Sequence, residues 1–247
     1  MKINEIFFSV QGEGKFTGLP SVFVRTSHCN LRCSYCDTPS ASHKPIGNDI
    51  SISQIFAHIT EISRCKNVVI TGGEPFIQEG LPLLCTELKR AQYHVTIETN
   101  ATIFSHVNAD LVSMSPKLSN SIPKNNSQTA KIHGANYLKR AAIRQFMKYY
   151  DCPGISDYQI KFVISRKEDI LEVLNIITEL EIPKPKIFLM PESKTIEDYN
   201  SKIDWLKHLC AVNQISFSPR LQLLSPIDSK ASGHTVFCAP REELTTA

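Results

Sequence analysis

The sequence predicts an α/β protein, a mostly parallel sheet rolled into a partial (β/α)6 barrel with its chemistry at the carboxyl ends of the strands. Three observations predict it. Short runs rich in Val, Ile and Phe alternate with longer segments whose apolar residues recur at helical spacing, over about 200 residues. Motifs bearing glycine, cysteine or charge follow successive strand-like runs, which gathers ligand chemistry at one end of the sheet. A length of 247 residues is enough for one sizeable core, so a single domain is expected, with a core over about 4–221 and a divergent tail over 222–247.

Taken in order, Ile3–Val10 alternates weakly and is rich in β-formers, so it reads as a strand. Gln11-Gly12-Glu13-Gly14 follows; its two glycines permit a tight turn or a close approach to a ligand. Ser21–Thr26 reads as a core strand with Arg25 near its carboxyl end, where a guanidinium can grip a carboxylate with two parallel hydrogen bonds; at an edge it would be solvated. Cys29, Cys33 and Cys36 come next, then Asp37-Thr38, which could cap a helix. Ile52, Ile55, Phe56, Ile59 and Ile62 form a stripe that predicts a helix over Ile52–Cys65. The strand Asn67–Thr71 runs into Thr71-Gly72-Gly73-Glu74-Pro75, where the missing Cβ atoms would let main chain lie against a ligand.

A helix over Leu81–Gln92 and a strand over Tyr93–Glu98 continue the alternation, and the strand Leu111–Ser115 leads into Ser115-Pro116-Lys117. A lysine beside a proline-stiffened strand end is placed to meet a carboxylate, although most lysines face water. Leu118–His133 is polar and predicts the longest irregular stretch, a mobile flap or an insertion. Beyond it we expect a helix over Ala135–Tyr150, a strand over Gln159–Ile164 and a helix over Glu168–Leu180, the last with Ile170, Val173, Leu174, Ile177 and Leu180 on one face. Lys186–Met190 and Gln214–Phe217 complete the strands, separated by a helix that holds the single tryptophan, Trp205.

Hydrophobic residues at 42% and charged residues at 21% describe an ordinary globular chain, and a net charge of +3 is too weak to argue for nucleic acid or an anionic membrane. No run approaches the about 18 apolar residues of a membrane span, and Met1-Lys2 runs directly into a strand, so a cytoplasmic location is expected. Eight cysteines in that setting are reduced thiols, metal ligands or buried side chains. Cys65, Cys85, Cys152, Cys210 and Cys238 carry no spacing pattern and read as packing residues.

Cys29-x3-Cys33-x2-Cys36 is different, because a loop of that length can curl three thiolates around one inorganic core. A closed structural site uses four protein ligands, so three leave one metal corner open for another molecule. His28 could instead complete a Cys3His zinc knuckle, but no second Cys/His pair follows at the usual distance. No convincing Ser-His-Asp arrangement is visible.

Together, Gln11-Gly12-Glu13-Gly14, the cysteine triplet, Cys36-Asp37-Thr38, Gly72-Gly73-Glu74-Pro75 and Ser115-Pro116-Lys117 resemble the radical S-adenosylmethionine (SAM) superfamily, and within it the 7-carboxy-7-deazaguanine synthase family of queuosine and deazapurine biosynthesis. The resemblance runs from about Asn4 to about Leu221 and implies a shortened (β/α)6 radical SAM barrel with some helices missing. It implies a [4Fe–4S] cluster on Cys29, Cys33 and Cys36, SAM on the open iron and against Tyr35, Cys36, Asp37, Gly73, Ser115, Pro116 and Lys117, and Mg2+ on Thr38. It further implies substrate contacts from Val10, Gln11, Gly12 and Thr71, with Arg25 on the substrate carboxylate, and no catalytic side chain acting as a nucleophile.

The implied reaction is ring contraction of 6-carboxy-5,6,7,8-tetrahydropterin to 7-carboxy-7-deazaguanine with loss of ammonia, begun by a 5′-deoxyadenosyl radical that removes hydrogen from C6 and later recovers it, so that SAM is regenerated. The implied partners are the pterin, an electron donor such as flavodoxin or ferredoxin, and a second copy in a homodimer. The sequence departs from the resemblance after Ser218-Pro219-Arg220-Leu221, where Gln222–Pro226 and a polar tail replace the usual pocket-closing segment, and no site residue is assigned there. A glycyl-radical activase shares the cysteines and the Gly-Gly-Glu-Pro loop but acts on protein, and a zinc or iron–sulfur binding protein without catalysis would show neither turnover nor a SAM response.

Overall fold

Ten strands form one sheet in the computed structural model, which describes residues 1–125, 127–224 and 235–238. The chain enters through β1 (Lys2–Val10) and returns antiparallel through β2 (Pro20–Thr26). A short β3 (Asn48–Asp49) pairs with the start of β1. From β2 onward the sheet is parallel: β4 (Asn67–Gly72), β5 (His94–Thr99), β6 (Leu111–Met114), β7 (Asp157–Ile164), β8 (Ile187–Pro191) and the two-residue β9 (Ser216–Phe217) pair in that order. The other edge is β10 (Thr235–Cys238), antiparallel to β1. The tail read from the sequence as polar thus contributes a strand, and its remaining residues, 225–234 and 239–247, lie outside the described ones.

The parallel strands are largely buried and rich in Val, Ile and Leu because helices cover their outer face. Val68 to Thr71 and Tyr158 to Ile164 are buried without interruption. Helices α1 (Ile52–Ile62), α2 (Leu81–Arg90), α4 (Arg140–Tyr150), α5 (Asp169–Leu180) and α6 (Ile196–Asn213) each pack on this sheet, and α7 (Leu221–Leu224) follows β9. Helix α1 starts at a capping box, Ser51 accepting from the Gln54 amide while the Gln54 side chain accepts from the Ser51 amide, and it buries Ile55, Ile59 and Ile62. The crossover from β5 to β6 contains no helix, in keeping with the shortened barrel expected.

The chain departs from the sequence reading over 118–150. The stretch expected to be irregular carries a 3-10 turn, Ser119–Ser121, and a full helix, α3 (Gln128–Asn136), capped by Ser127, whose side chain accepts from the Ala130 amide. The helix expected from Ala135 is therefore two helices, broken over Tyr137–Lys139, with α4 starting at Arg140. Helix α3 escaped the periodicity test because its buried positions are Ala130 and His133 rather than an apolar stripe. Of the cysteines read as packing residues, Cys85 and Cys210 are buried, whereas Cys65 and Cys152 are only half-buried.

The sheet does not close. The Gln11–Lys15 loop ties the end of β1 to the turn after β9: the Leu221 amide donates to Gly12 O at 3.1 Å and the Gly14 amide to Ser218 Oγ at 2.9 Å. Gly14 sits at φ +72°, and a Cβ there would meet the Gln159 side chain at 2.3 Å, so this turn asks for glycine.

Candidate active site

A cleft of about 710 Å³ opens over the carboxyl ends of the parallel strands. Its wall takes residues from β2 and from each parallel strand from β4 to β8, from the Gln11–Glu13 loop and from the turn after β9. Cys29, Cys33 and Cys36 line it together as free thiols. Burial pushes the Cys33 thiol up to about 11 and raises that of Cys29, so each must lose a proton to serve as a thiolate ligand. Among the described residues no three His, Cys, Asp or Glu side chains surround a single metal-ion position. His28 is exposed and does not line the cleft, so the zinc knuckle it would complete is not formed. Three thiols along one wall suit a cluster, whose separate irons each take one sulfur.

The Gly72–Glu74 loop fits against the cysteine loop because it has no side chains to prevent it. Gly72 lies at φ +133°, and a Cβ on Gly73 would sit 1.9 Å from His28 O. The Gly73 amide donates to Thr26 O at 3.1 Å and the Glu74 amide to His28 O at 2.9 Å, tying the loop to the residue before Cys29. Glu74 is fully buried and accepts from the Phe76 amide, Thr99 Oγ1 and the Asn100 amide, which fixes the loop to β5. Burial pushes its carboxyl up to about 7 against the pull of those three bonds. Asn100 in turn bonds Asn30 Oδ1 at 2.9 Å and lies 3.9 Å from Cys29 Sγ. The Tyr35 hydroxyl is buried at the cleft wall without a hydrogen-bond partner among the described residues. Free thiols, a glycine cradle and an unpartnered hydroxyl on one wall fit a cluster with a polar ligand beside it.

A chain of charges crosses the cleft. Lys161, on β7 and 3% exposed, bonds Glu13 at 2.9 Å and Glu98 at 2.8 Å. Thr71 Oγ1 donates to the other oxygen of Glu98 at 3.1 Å. Arg220 pairs with Asp37 and with Glu13, and donates to Ser193 O. Burial alone would raise the Glu13 carboxyl; Lys161 and then Arg220 outweigh it and hold it well below the usual range. The same carboxylates, Glu13 first, hold Lys161 charged in spite of its burial.

Val10, Gln11, Gly12, Arg25, Tyr35, Asp37, Thr38, Thr71, Gly73, Ser115 and Lys117 all line this cleft with the cysteines. Pro116 is buried and does not line it; its part is to hold the backbone between Ser115 and Lys117, whose side chains bond each other at 2.9 Å. Arg25 rests on the Phe7 ring and gives Nε to Glu5 at 2.6 Å, which orients the guanidinium. Gln11 bonds Ser21 Oγ at 3.1 Å, and Thr38 Oγ1 donates to Asp37 Oδ1 at 3.1 Å. Sequence reasoning missed Glu13, Glu74, Glu98, Lys161, Arg220 and Gln222, the last of which donates from Nε2 to Glu13 Oε1 at 2.8 Å. A lysine inside the otherwise apolar run Ile160–Ile164 was the signal for Lys161.

A parallel sheet open at one side, with a three-thiol loop and a glycine cradle at its carboxyl face, defines a radical SAM enzyme, and the Radical SAM superfamily model matches residues 23–142. This class carries a [4Fe–4S] cluster and SAM. The 7-carboxy-7-deazaguanine synthase of Rhodopirellula baltica is 37% identical over 223 residues, 90% of this chain and 84% of that protein, and its counterpart from Halobacterium salinarum is 34% identical over 90% and 89%. The crystal structure of QueE from Escherichia coli superposes with a TM-score of 0.63 at 25% identity, covering 88% of this chain and 92% of that one. The chain belongs to the 7-carboxy-7-deazaguanine synthase family.

Proposed function

We propose that this chain converts 6-carboxy-5,6,7,8-tetrahydropterin to 7-carboxy-7-deazaguanine with loss of ammonia, in a SAM- and Mg2+-dependent reaction that regenerates SAM. The observation that carries the proposal is one shared cleft lined by Cys29, Cys33 and Cys36 together with Arg25 and the Gln11–Glu13 loop. When bound, cluster and SAM supply a 5′-deoxyadenosyl radical. The chain's own residues bind, orient and exclude water. Cys29, Cys33 and Cys36 hold the cluster; Tyr35, Asp37, Gly73, Ser115 and Lys117 hold SAM, with Gly73 giving main chain close access and Lys117 a cation for a carboxylate.

Arg25 takes the substrate carboxylate. Glu5 uses Nε, and among the described residues the terminal nitrogens have no other partner. Val10, Gln11, Gly12 and Thr71 border the remainder of the substrate. The Thr38 hydroxyl, beside Asp37 at the same wall, offers Mg2+ an oxygen ligand, and such an ion completes its shell with water and substrate oxygens. No helix among the described residues is long and apolar enough to cross a membrane. By family resemblance we also propose a flavodoxin or ferredoxin as electron donor, a homodimer and a cytoplasmic location.

Anaerobic reconstitution followed by dithionite, SAM and the tetrahydropterin tests the reading. Deazaguanine product without stoichiometric loss of SAM is expected. Stoichiometric 5′-deoxyadenosine with no deazaguanine would overturn it and favour an activase acting on protein.

A further inference from the structure

Bonded to the cysteine loop and outside the cleft lining stands a polar support that the proposed chemistry does not use. His133 is 1% exposed and is the large buried side chain of α3. Its Nδ1 accepts from the Arg32 amide at 3.0 Å, and its Nε2 lies 2.9 Å from Ser121 Oγ. The Ser121 hydroxyl gives its own hydrogen to Leu118 O at 2.7 Å, so Oγ is an acceptor towards the ring. The two partners together select the neutral ring with its proton on Nε2.

Both ends of this link sit where position matters. Arg32 immediately precedes Cys33, and its guanidinium braces Cys29 O at 2.6 Å and Leu31 O at 2.7 Å. The Ser34 amide, on the other side of Cys33, donates to Ser121 O at 2.9 Å. The turn Ser119–Ser121 is itself anchored: Glu172 accepts from the Ser119 amide and hydroxyl, and Asn120 Nδ2 donates to Asp169 Oδ2 at 2.8 Å and Val163 O at 3.0 Å. That turn follows Ser115–Lys117 with only Leu118 between.

We infer that His133 is a positioning residue: by accepting the Arg32 amide and resting on the Ser121 hydroxyl, it sets the spacing between the cluster loop and the strand end at Ser115–Lys117. The inference rests on the proposed ligation by Cys29 and Cys33. A buried amide that loses its acceptor favours a rearranged loop, and here the rearrangement would move the residue next to a ligand.

Hydrogen exchange on the metal-free chain tests this without the cluster. In His133→Ala, exchange over Cys29–Ser34 should rise about tenfold or more while amides of β4 and β5 stay unchanged. In His133→Asn, whose Oδ1 falls near the position of Nδ1, it should stay within about threefold of wild type. Should His133→Ala fail to fold, Ser121→Ala keeps the histidine and removes its support, and a local rise over the same residues is expected. On reconstituted protein, iron release to a chelator should follow the same order. A rise spread evenly over the core, no rise in either disruptive variant, or His133→Asn behaving like His133→Ala would overturn the inference. Absence of iron binding in the wild type would sink the ligation reading instead, and with it the reason to call His133 a positioning residue.

Discussion

Replacing Lys161 by methionine keeps the length of the side chain and removes a charge that two carboxylates share. Lys161 and Arg220 face three acids in this network, Glu13, Glu98 and Asp37, so the variant leaves one cation against three anions. Removing one partner of a buried ion pair costs about 3–5 kcal/mol. Glu98 is 33% exposed and Glu13 18%, so water recovers part of that, and we expect about 2–3 kcal/mol. For a chain of this length each kcal/mol moves Tm by about 2–4 °C, which places the variant about 4–12 °C lower.

The loss should also depend on pH. Lys161 and then Arg220 hold the Glu13 carboxyl at about 2 against an ordinary 4.5, and a depressed acid contributes stability above its unfolded value and loses it as pH falls towards the folded one. The gap between wild type and Lys161→Met should therefore be full at neutral pH and narrow below about pH 4. Urea unfolding of the metal-free chain at two pH values, with Glu13→Gln in both backgrounds, is the assay, and the double variant should recover part of the loss. A difference under about 1 kcal/mol at neutral pH, or an equal gap at both, would refute the reasoning.

Other consequences follow from the glycine loop and the cleft rim. Gly73→Ala puts a Cβ into the His28 carbonyl and should destabilise the metal-free chain by at least about 2 kcal/mol and lower its iron loading, as thermal melts and metal analysis would show. Glu74→Gln exchanges an acceptor for a donor and should be destabilised at every pH. Because burial raises the Glu74 carboxyl to about 7, ionising it weakens wild type as pH rises from about 4.5 to about 7, so the wild-type advantage should shrink by up to about 3 kcal/mol across that window and then level off. Thr38→Ala should blunt the response of turnover to added Mg2+ while leaving cluster content unchanged; an unaltered metal response would remove Thr38 from the ion site.

Strands were legible where burial on both faces produced short runs rich in β-formers, as over Val68–Ile70 and Phe162–Ile164, and helices α1 and α5 were legible from their stripes. The cysteines and the glycine loop could be read because their chemistry depends on residue type and local spacing. Helix α3 could not, since it folds around a buried histidine whose partners, Arg32 and Ser121, lie elsewhere in the chain. The charge network was hidden for the same reason: Glu13 and Lys161 are 148 residues apart and meet only once β1 and β7 are part of one sheet. The break between α3 and α4 falls at Tyr137–Lys139, where neither glycine nor proline marks it.

Three cysteines that leave one iron open are the centre of this account, and the response of the reduced cluster to SAM tests them most directly. Anaerobically reconstituted protein should hold about four iron and four sulfide per chain, show an electron paramagnetic resonance spectrum that changes when SAM is added, and lose both properties in Cys33→Ala. Zinc without sulfide, or a cluster whose spectrum is indifferent to SAM, would contradict it.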